Sequence, residues 1–452
     1  MLISQLGGWT QDMWSAIIGL FSFIPNWGWM IIVFTIILKI ILSPLDYFQR
    51  RLARKNAQKQ AALQPELLKI QKKFGNNKQV LNQKTMELYK RNNYSLMGSC
   101  VGMLVNMGIT LFIFFTLFSG LTEISNTKMT KEYEVLEQTY NTQFVSTFDD
   151  VSDESGIKPK QDAIFNNAIN EAKAELGTEE VNDKVYSKAL EIMYNKETTN
   201  DDYKKLQTVQ NSVYEKYKND VKQSFLWVKN IWRPDTSSSV FMDYSTYQSV
   251  SNLYKSEGYT NELNARIGSE TNKDTIKAIT KNLQTEYKNN YDIITYGIKQ
   301  NYKGTWNGYY ILVILAGVIT YLSVMISQMQ STKKKKKDQP AQAQDPTMPQ
   351  QPKAMNFMKF LLPVLMIFFT IGYSTVFALY IVTNSIMSTI ISSILLKIFE
   401  AQEKKQKNDQ NQNGGTPKVI IENKNVPEYS RERLKLWLKL QEKMLKKQLT
   451  KV

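Results

Sequence analysis

The sequence predicts an all-α polytopic membrane protein with five transmembrane helices, a cytoplasmic helical hairpin and a mostly helical extracytoplasmic module. Two observations carry this. Long stretches hold almost no charge in a chain that is 22% Asp, Glu, Lys and Arg overall, so greasy spans alternate with very polar connectors. The short connectors that should share one face of the membrane are all basic, which sets the number and direction of the crossings.

Residues 1–25 place Trp14, Ile17, Ile18, Phe21 and Ile24 at helical spacing over a stretch too short to cross. This segment is expected to lie on the outer interface, with a spacer that extends the first span as the alternative. No Lys or Arg precedes Lys39, so the basic region of a cleavable leader is missing and the first apolar segment is expected to be retained as an anchor.

Residues 26–45 are the first span. The 19 residues from Trp27 to Leu45 are apolar except for Lys39 and a few small polar residues. At helical rise they reach about 28 Å, near the hydrocarbon thickness. Residues 46–95 carry 12 Lys/Arg against 3 Asp/Glu and read as two basic helices reversing at Phe74-Gly75-Asn76-Asn77. Pro65 is tolerated there in the first helical turn after Gln64. A solvated face beside anionic lipid is the plain reading of that charge.

No charge lies between Arg91 and Glu123 or between Lys303 and Lys333, which places the second span at residues 96–121 and the third at 309–330. Lys359 and Lys397 enclose 37 uncharged residues. As one helix these would reach about 56 Å, so the stretch reads as two spans, 357–373 and 374–397, with a reversal at Gly372, Tyr373 and Ser374.

The loops test this count. Residues 329–356 carry 6 Lys/Arg against 2 Asp/Glu, and residues 398–452 carry 13 against 7. With five crossings both fall on the side of 46–95, leaving the N-terminus outside and the C-terminus in the cytoplasm of a cell (plasma) membrane protein. The connector from 121 to 305 has 23 against 28, the one acidic loop, and falls outside.

That module, residues 122–308, shows helical signatures from Gln161 to Leu176 and from Asp274 to Tyr287. The basic cytoplasmic linker 331–356, with Lys333 to Lys337 followed by a Gln- and Pro-rich run to Pro352, reads as disordered and in contact with lipid headgroups. In the basic tail 398–452, residues from Ser430 to Leu449 set Leu434, Trp437, Leu438 and Leu445 on one helical side. Such a helix suits a membrane surface or ribosomal RNA, with a solvated tail as the alternative.

The chain has no histidine and one cysteine, Cys100. This excludes most metal sites, Ser-His-Asp catalysis and an intrachain disulfide. Together with the absence of a Gly-rich phosphate loop, it leaves no enzyme activity, no metal and no cofactor expected. Cys100 reads as a packed thiol.

Lys39 stands out. A charge at mid-membrane costs about 2.5 to 3.5 kcal/mol on insertion scales, so an intramembrane cation is a functional candidate. Snorkelling is the alternative, since Asp46 follows about 10 Å along the axis and the long stem could reach the headgroups. From position alone the two readings stand level.

The stretch Lys39-Ile-Ile-Leu-Ser-Pro44-Leu45 resembles the YidC-type membrane protein insertase family, which carries a basic residue five positions before a Pro-Leu pair. Further matches follow in order: Leu63-Gln64-Pro65, Gly75, Lys78-Gln79, Met86, Leu88-Tyr89-Lys90, Gly98, Cys100, Asn106-Met107, then Phe225-Leu226-Trp227 running to Pro234-Asp235, Tyr309-Tyr310-Ile311-Leu312, Pro363-Val364, and Tyr380 to Asn384. The resemblance covers about residues 26–121, 224–236 and 309–400. It describes a divergent, Gram-positive-like member with two extracytoplasmic insertions around 224–236. Lys39 stands where the family usually has Arg, Leu96 and Gly108 replace prolines, and Tyr373 stands where a proline often precedes the last helix.

The resemblance implies an insertase and chaperone that receives nascent membrane proteins in a cytoplasm-open hydrophilic groove and releases them into the bilayer. It places Lys39 in that groove, with Asn106, Tyr380, Thr383 and Asn384 as lining; for such polar residues packing is the alternative. The implied partners are nascent clients and the lipid bilayer, with the Sec translocon, and the ribosome through hairpin and tail, as further candidates. A solute channel or transporter, and a surface receptor or adhesin, are the rival classes. Transporters commonly show internal repeats, and none is found in this sequence.

Overall fold

The computed structural model describes residues 12–92, 96–195, 197–338, 361 and 363–412. Among them the chain is helical without strands, and the only sheet-like pairings are single bridges between Phe225 and Val228 and between Pro234 and Ser374.

Helix α1 spans 12–19. Its stripe faces inward: Trp14 and Ile18 are buried, Ile17, Phe21 and Ile24 pack beside them, and Trp14 and Phe21 meet Phe34 edge-on at 5.9 and 6.1 Å. The stripe of the segment expected on the outer interface therefore packs on protein, where a neighbouring helix offers dense contact. Of the segment's large apolar side chains, Leu20 and Phe23 are exposed.

Helix α2 runs from Trp27 to Phe74 without interruption, joining the expected first span to the first arm of the hairpin. Asn26 starts it, accepting from Gly28 N at 2.9 Å. Pro44 and Pro65 lie inside it. Pro44 frees the Ile40 carbonyl, and the Ser43 hydroxyl takes up that carbonyl at 2.8 Å, so the backbone is satisfied and the helix need not stop. Helix α3, Lys78–Arg91, folds back on α2 after a turn capped by Asn77. Leu63, Leu67, Leu88 and Tyr89 form the small core between them, and Arg91 pairs with Glu66 at 2.8 Å.

Helix α4, Leu96–Thr147, carries the second apolar stretch straight out into the module as one 52-residue rod. The module adds α5 (Ile157–Leu176), α6 (Asp183–Met193), α7 (Asp201–Lys216), α8 (Tyr244–Val250), α9 (Glu257–Ile267) and α10 (Lys273–Asn301). Its tyrosine-rich core, with Tyr133, Tyr291 and Phe241 stacked in series, belongs to the same buried cluster as Leu117 and Phe377 of the apolar helices. Module and spans thus share one core.

Helix α11, Ile311–Asp338, extends through the Lys333 to Lys337 run, so the first residues of the expected linker are helical. Helix α12 covers 363–371, the chain turns at 372–374, and α13 runs from Thr375 to Gln412, well into the expected tail. The rest of the linker, the tail from residue 413 and its Ser430 to Leu449 segment lie outside the described residues. These helices outrun the expected boundaries because a charge marks the edge of the apolar solvent without breaking a helix.

Three described helical stretches are long and apolar enough to cross a membrane, Trp27–Leu52, Gly108–Thr147 and Thr375–Lys405, with a shorter apolar one at Ile311–Ile326. Their outward faces carry Ile40, Ile41, Phe112, Ile314 and Ile394, all exposed in the isolated chain. A contiguous apolar exterior of this kind requires lipid. Helix α13 packs against both α2 and α11.

Candidate functional site

Lys39 lies one turn past Thr35 on α2. Ile31, Phe34 and Thr35 are buried, whereas Ile37, Ile40 and Ile41 are exposed, so the helix has a protein side and a lipid side. Lys39, half-buried, follows Thr35 by four residues and shares the protein side. The Thr35 hydroxyl is consumed by the Ile31 carbonyl at 2.6 Å. The Lys39 ammonium has no hydrogen-bonded or ion-paired partner among the described residues, and the carboxylate that acts on it is Asp46.

On α13, Tyr380 and Thr383 are buried and Asn384 is half-buried. Their spacing puts them on one face of one helix. No hydrogen bond joins any of them to Lys39 among the described residues. Asn106 falls within α4, and its side chain lies outside the described residues.

Below these residues a hydroxyl ladder descends α13. Ser388 donates to Asn384 O at 2.7 Å, Thr389 to Ser385 O at 2.8 Å and Ser393 to Thr389 O at 2.9 Å. Each hydroxyl proton is satisfied within the helix. Thr320 of α11 approaches Ser385 at 3.4 Å.

The sequence reading missed the partners that fix α13 to α2 at the end away from the module. Arg50 donates to Ser392 Oγ at 2.6 Å, Arg54 pairs with Glu403 at 2.8 Å and lies over the Phe399 ring, and Tyr47 stacks on Phe399 at 5.2 Å. Tyr47, Arg50 and Arg54 recur at i, i+3 and i+7, a helical-face signal present in the sequence but submerged in the general basicity of the hairpin.

The segment quoted above for its resemblance, Phe225 to Asp235, threads between the module-side ends of the apolar helices. Thr375 N and Val376 N at the start of α13 donate to Arg233 O and Ile231 O at 3.0 and 3.2 Å. Asp235 Oδ2 accepts from Leu312 N at 3.0 Å in the first turn of α11. Asn26 Nδ2 donates to Ser224 O at 3.0 Å, and Trp27 meets Trp232 edge-on at 5.0 Å, tying in α2.

Asn307, buried, holds the segment to the start of α11. It accepts from Asn230 N at 2.8 Å and donates to Asn230 O at 2.8 Å and Pro234 O at 3.0 Å. Glu132, beyond the charge-free part of α4, is buried against Asn230, and burial pushes its carboxyl up to about 8 against the opposing Asn230 hydrogen bond and the Arg233 charge. Nothing local in the sequence marks Asn307 or Glu132.

No group of three His, Cys, Asp or Glu side chains that could hold a metal ion occurs among the described residues. Fold and composition define a multi-pass helical membrane protein.

The comparisons place it further. Residues 19–166 match the family model described as 60Kd inner membrane protein. The chain is 42% identical over 100 residues to the membrane protein insertase YidC of Fusobacterium nucleatum, covering 22% of this chain and 47% of that one. It is 40% identical over 99 residues to the protein of that name from Clostridium perfringens, covering 22% and 40%. Against the one from Leptospira interrogans it is 38% identical over 103 residues, covering 23% and 16%. The matched stretch spans less than half of each relative. No solved structure matches the chain. Over this stretch the chain is similar to proteins named membrane protein insertase YidC.

Proposed function

We propose that this protein inserts nascent membrane proteins into the bilayer, receiving each client in a hydrophilic groove between the apolar helices that opens to the cytoplasm and to lipid. The observation that carries the reading is Lys39: a cation within an apolar span, on the protein side of α2, without a partner among the described residues, inside residues 19–166, which match the family model described as 60Kd inner membrane protein. A charge kept there at such cost is retained for something that arrives. In this reading the polar or acidic tail of a client is drawn to the ammonium, the hydroxyl oxygens of α13, together with Asn384, Thr383, Tyr380 and Asn106, replace part of its water, and its apolar segment slides along the lipid-facing sides.

Shortening the hydrocarbon path and supplying polar groups lowers the desolvation cost of crossing, and release of the apolar segment into lipid drives completion. No covalent step and no nucleotide are required. The chain crosses five times, at 26–45, 96–121, 309–330, 357–373 and 374–397, with its module outside, its C-terminus in the cytoplasm and residues 1–25 beside the outer interface. The basic hairpin is positioned to meet the Sec translocon or a translating ribosome, whose RNA phosphates its lysines would attract.

The test is reconstitution in liposomes with one-span clients that carry acidic or neutral external tails. Lys39→Arg should insert both normally, and Lys39→Ala should insert the acidic-tailed client several-fold less. Equal insertion by the alanine variant would remove the charge role. A solute leak without client insertion would favour the channel reading.

A further inference from the structure

Among the described residues, four other than glycine hold left-handed backbone conformations: Leu226 at φ 52, Asn252 at φ 51, Tyr309 at φ 61 and Tyr310 at φ 62. Asn tolerates this region, whereas Leu and two successive Tyr residues do so only at a cost. All three strained residues turn their side chains outward, and Leu226 is 66% exposed at the tip of a two-residue turn closed by Phe225 and Val228. Strain held in order to expose large apolar groups to water would have no compensation.

The three belong to one patch. Phe225 at the base of the turn meets Trp29 of α2 edge-on at 5.3 Å. Lys229, just past the turn, donates from its backbone to Asn307 O at 3.1 Å and lays its ammonium over the Tyr309 ring at 5.0 Å. Trp306 packs on Tyr310 at 5.6 Å. Trp29, Leu226, Trp306, Tyr309 and Tyr310 are all exposed.

Two features identify what covers them. The patch continues the lipid-facing stripes: Tyr310 leads by helical steps to exposed Ile314 and Val318 on α11, and Trp29 to exposed Ile37 on α2. Around it lies a basic cluster in which Lys222 feels the like charges of Lys229 and Lys218. Neither Lys222 nor Lys229 has an ion pair among the described residues. Tryptophan and tyrosine rings with a rim of lysines match the boundary between acyl chains and headgroup phosphates.

We propose that this patch is seated in the phospholipid leaflet on the module's side, so that the module grips the membrane directly through the Leu226 turn and the Trp306 to Tyr310 segment. The proposal rests on the membrane-spanning reading and not on insertase activity. A turn wedged beside the ends of α2 and α11 would fix how the module stands on the bilayer and how deep those helices sit.

The experiment uses the full chain with Cys100→Ser and one introduced cysteine carrying an environment-sensitive fluorophore. It is reconstituted in phosphatidylethanolamine–phosphatidylglycerol vesicles that contain nitroxide lipids labelled at shallow or deep acyl positions. Leu226→Cys and, on the other arm of the patch, Trp306→Cys are expected to give blue-shifted emission, quenched more by shallow than by deep nitroxides. Val181→Cys, exposed elsewhere on the module, serves as the aqueous reference, and Ile314→Cys as the deep one. Emission at 226 and 306 like that at 181 would overturn the proposal. Protection from both aqueous iodide and lipid nitroxides would also overturn it, since a protein would then cover the patch. An unquenched 314 would overturn the spanning reading and the proposal with it.

Discussion

Asn230 Nδ2 stands 3.1 and 3.0 Å from the two carboxylate oxygens of Glu132, joining residues 98 apart in sequence at a fully enclosed point. The same amide nitrogen lies 3.1 Å from Tyr217 Oη, and Asn230 Oδ1 accepts from Trp232 N at 3.0 Å. One side chain therefore serves the rod of α4, the end of the module's α7 and the segment that secures α11 and α13. Asn230→Ala is expected to destabilise the folded chain by on the order of 3 kcal/mol, because it strands buried polar groups rather than removing a matched pair. Unfolding followed by tryptophan fluorescence in detergent would measure it.

The Glu132 carboxyl, raised by burial from 4.5 to about 8, makes stability depend on pH with a definite sign. Between those values the folded chain holds a proton that the unfolded chain has released, so stability falls as pH rises through the window and is level below and above it. Glu132→Gln should flatten this slope while leaving the stability near pH 4.5 close to that of the parent. An unchanged slope in the Gln variant would show that another group titrates.

Two glycines allow the closest approaches in the module-side knot. A Cβ on Gly28 would stand 2.2 Å from Phe225 Cγ, and one on Gly308 would stand 1.8 Å from Asp235 Oδ1. Gly28→Ala should cost about 1 to 3 kcal/mol by overpacking. Combined with Phe225→Ala it should cost little more than Phe225→Ala alone, a non-additivity that a double-mutant cycle would expose. Gly308→Ala has no such relief, since it displaces the carboxylate that accepts from Leu312 N, and loss of that cap should fray the first turn of α11 in hydrogen exchange.

Far from the module, Arg54 and Glu403 form a partly exposed pair at 2.8 Å between α2 and α13. Its direct coupling should be small, about 0.2 to 1 kcal/mol and weaker in high salt. Arg54→Glu should nevertheless loosen the end of α13 more than Glu403→Ala does, because it also removes the cation lying over Phe399. Exchange protection of α13 backbone amides in the two variants would distinguish the contributions.

The helical class was legible because it depends on composition and spacing. Charge-free stretches report the apolar solvent whatever the neighbours do, and the signatures at Gln161 to Leu176 and Asp274 to Tyr287 fall within α5 and α10. Helix ends were less legible. Continuation of α2 past Pro44 depends on the Ser43 hydroxyl meeting one carbonyl, and continuation of α11 and α13 beyond the apolar stretches has no marker in hydropathy.

By itself the sequence determined that this chain is a helical membrane protein with a cation inside a span, because hydrophobicity and charge are local properties of the residues that carry them. Tertiary structure alone decided that the first amphipathic stripe packs against Phe34 and its neighbours. It likewise decided that Asn230, Asn307 and Glu132 meet, and that Leu226, Tyr309 and Tyr310 stand exposed on one patch. Those relations join segments far apart along the chain, and a partner across such a distance leaves no periodicity in the sequence on either side of it.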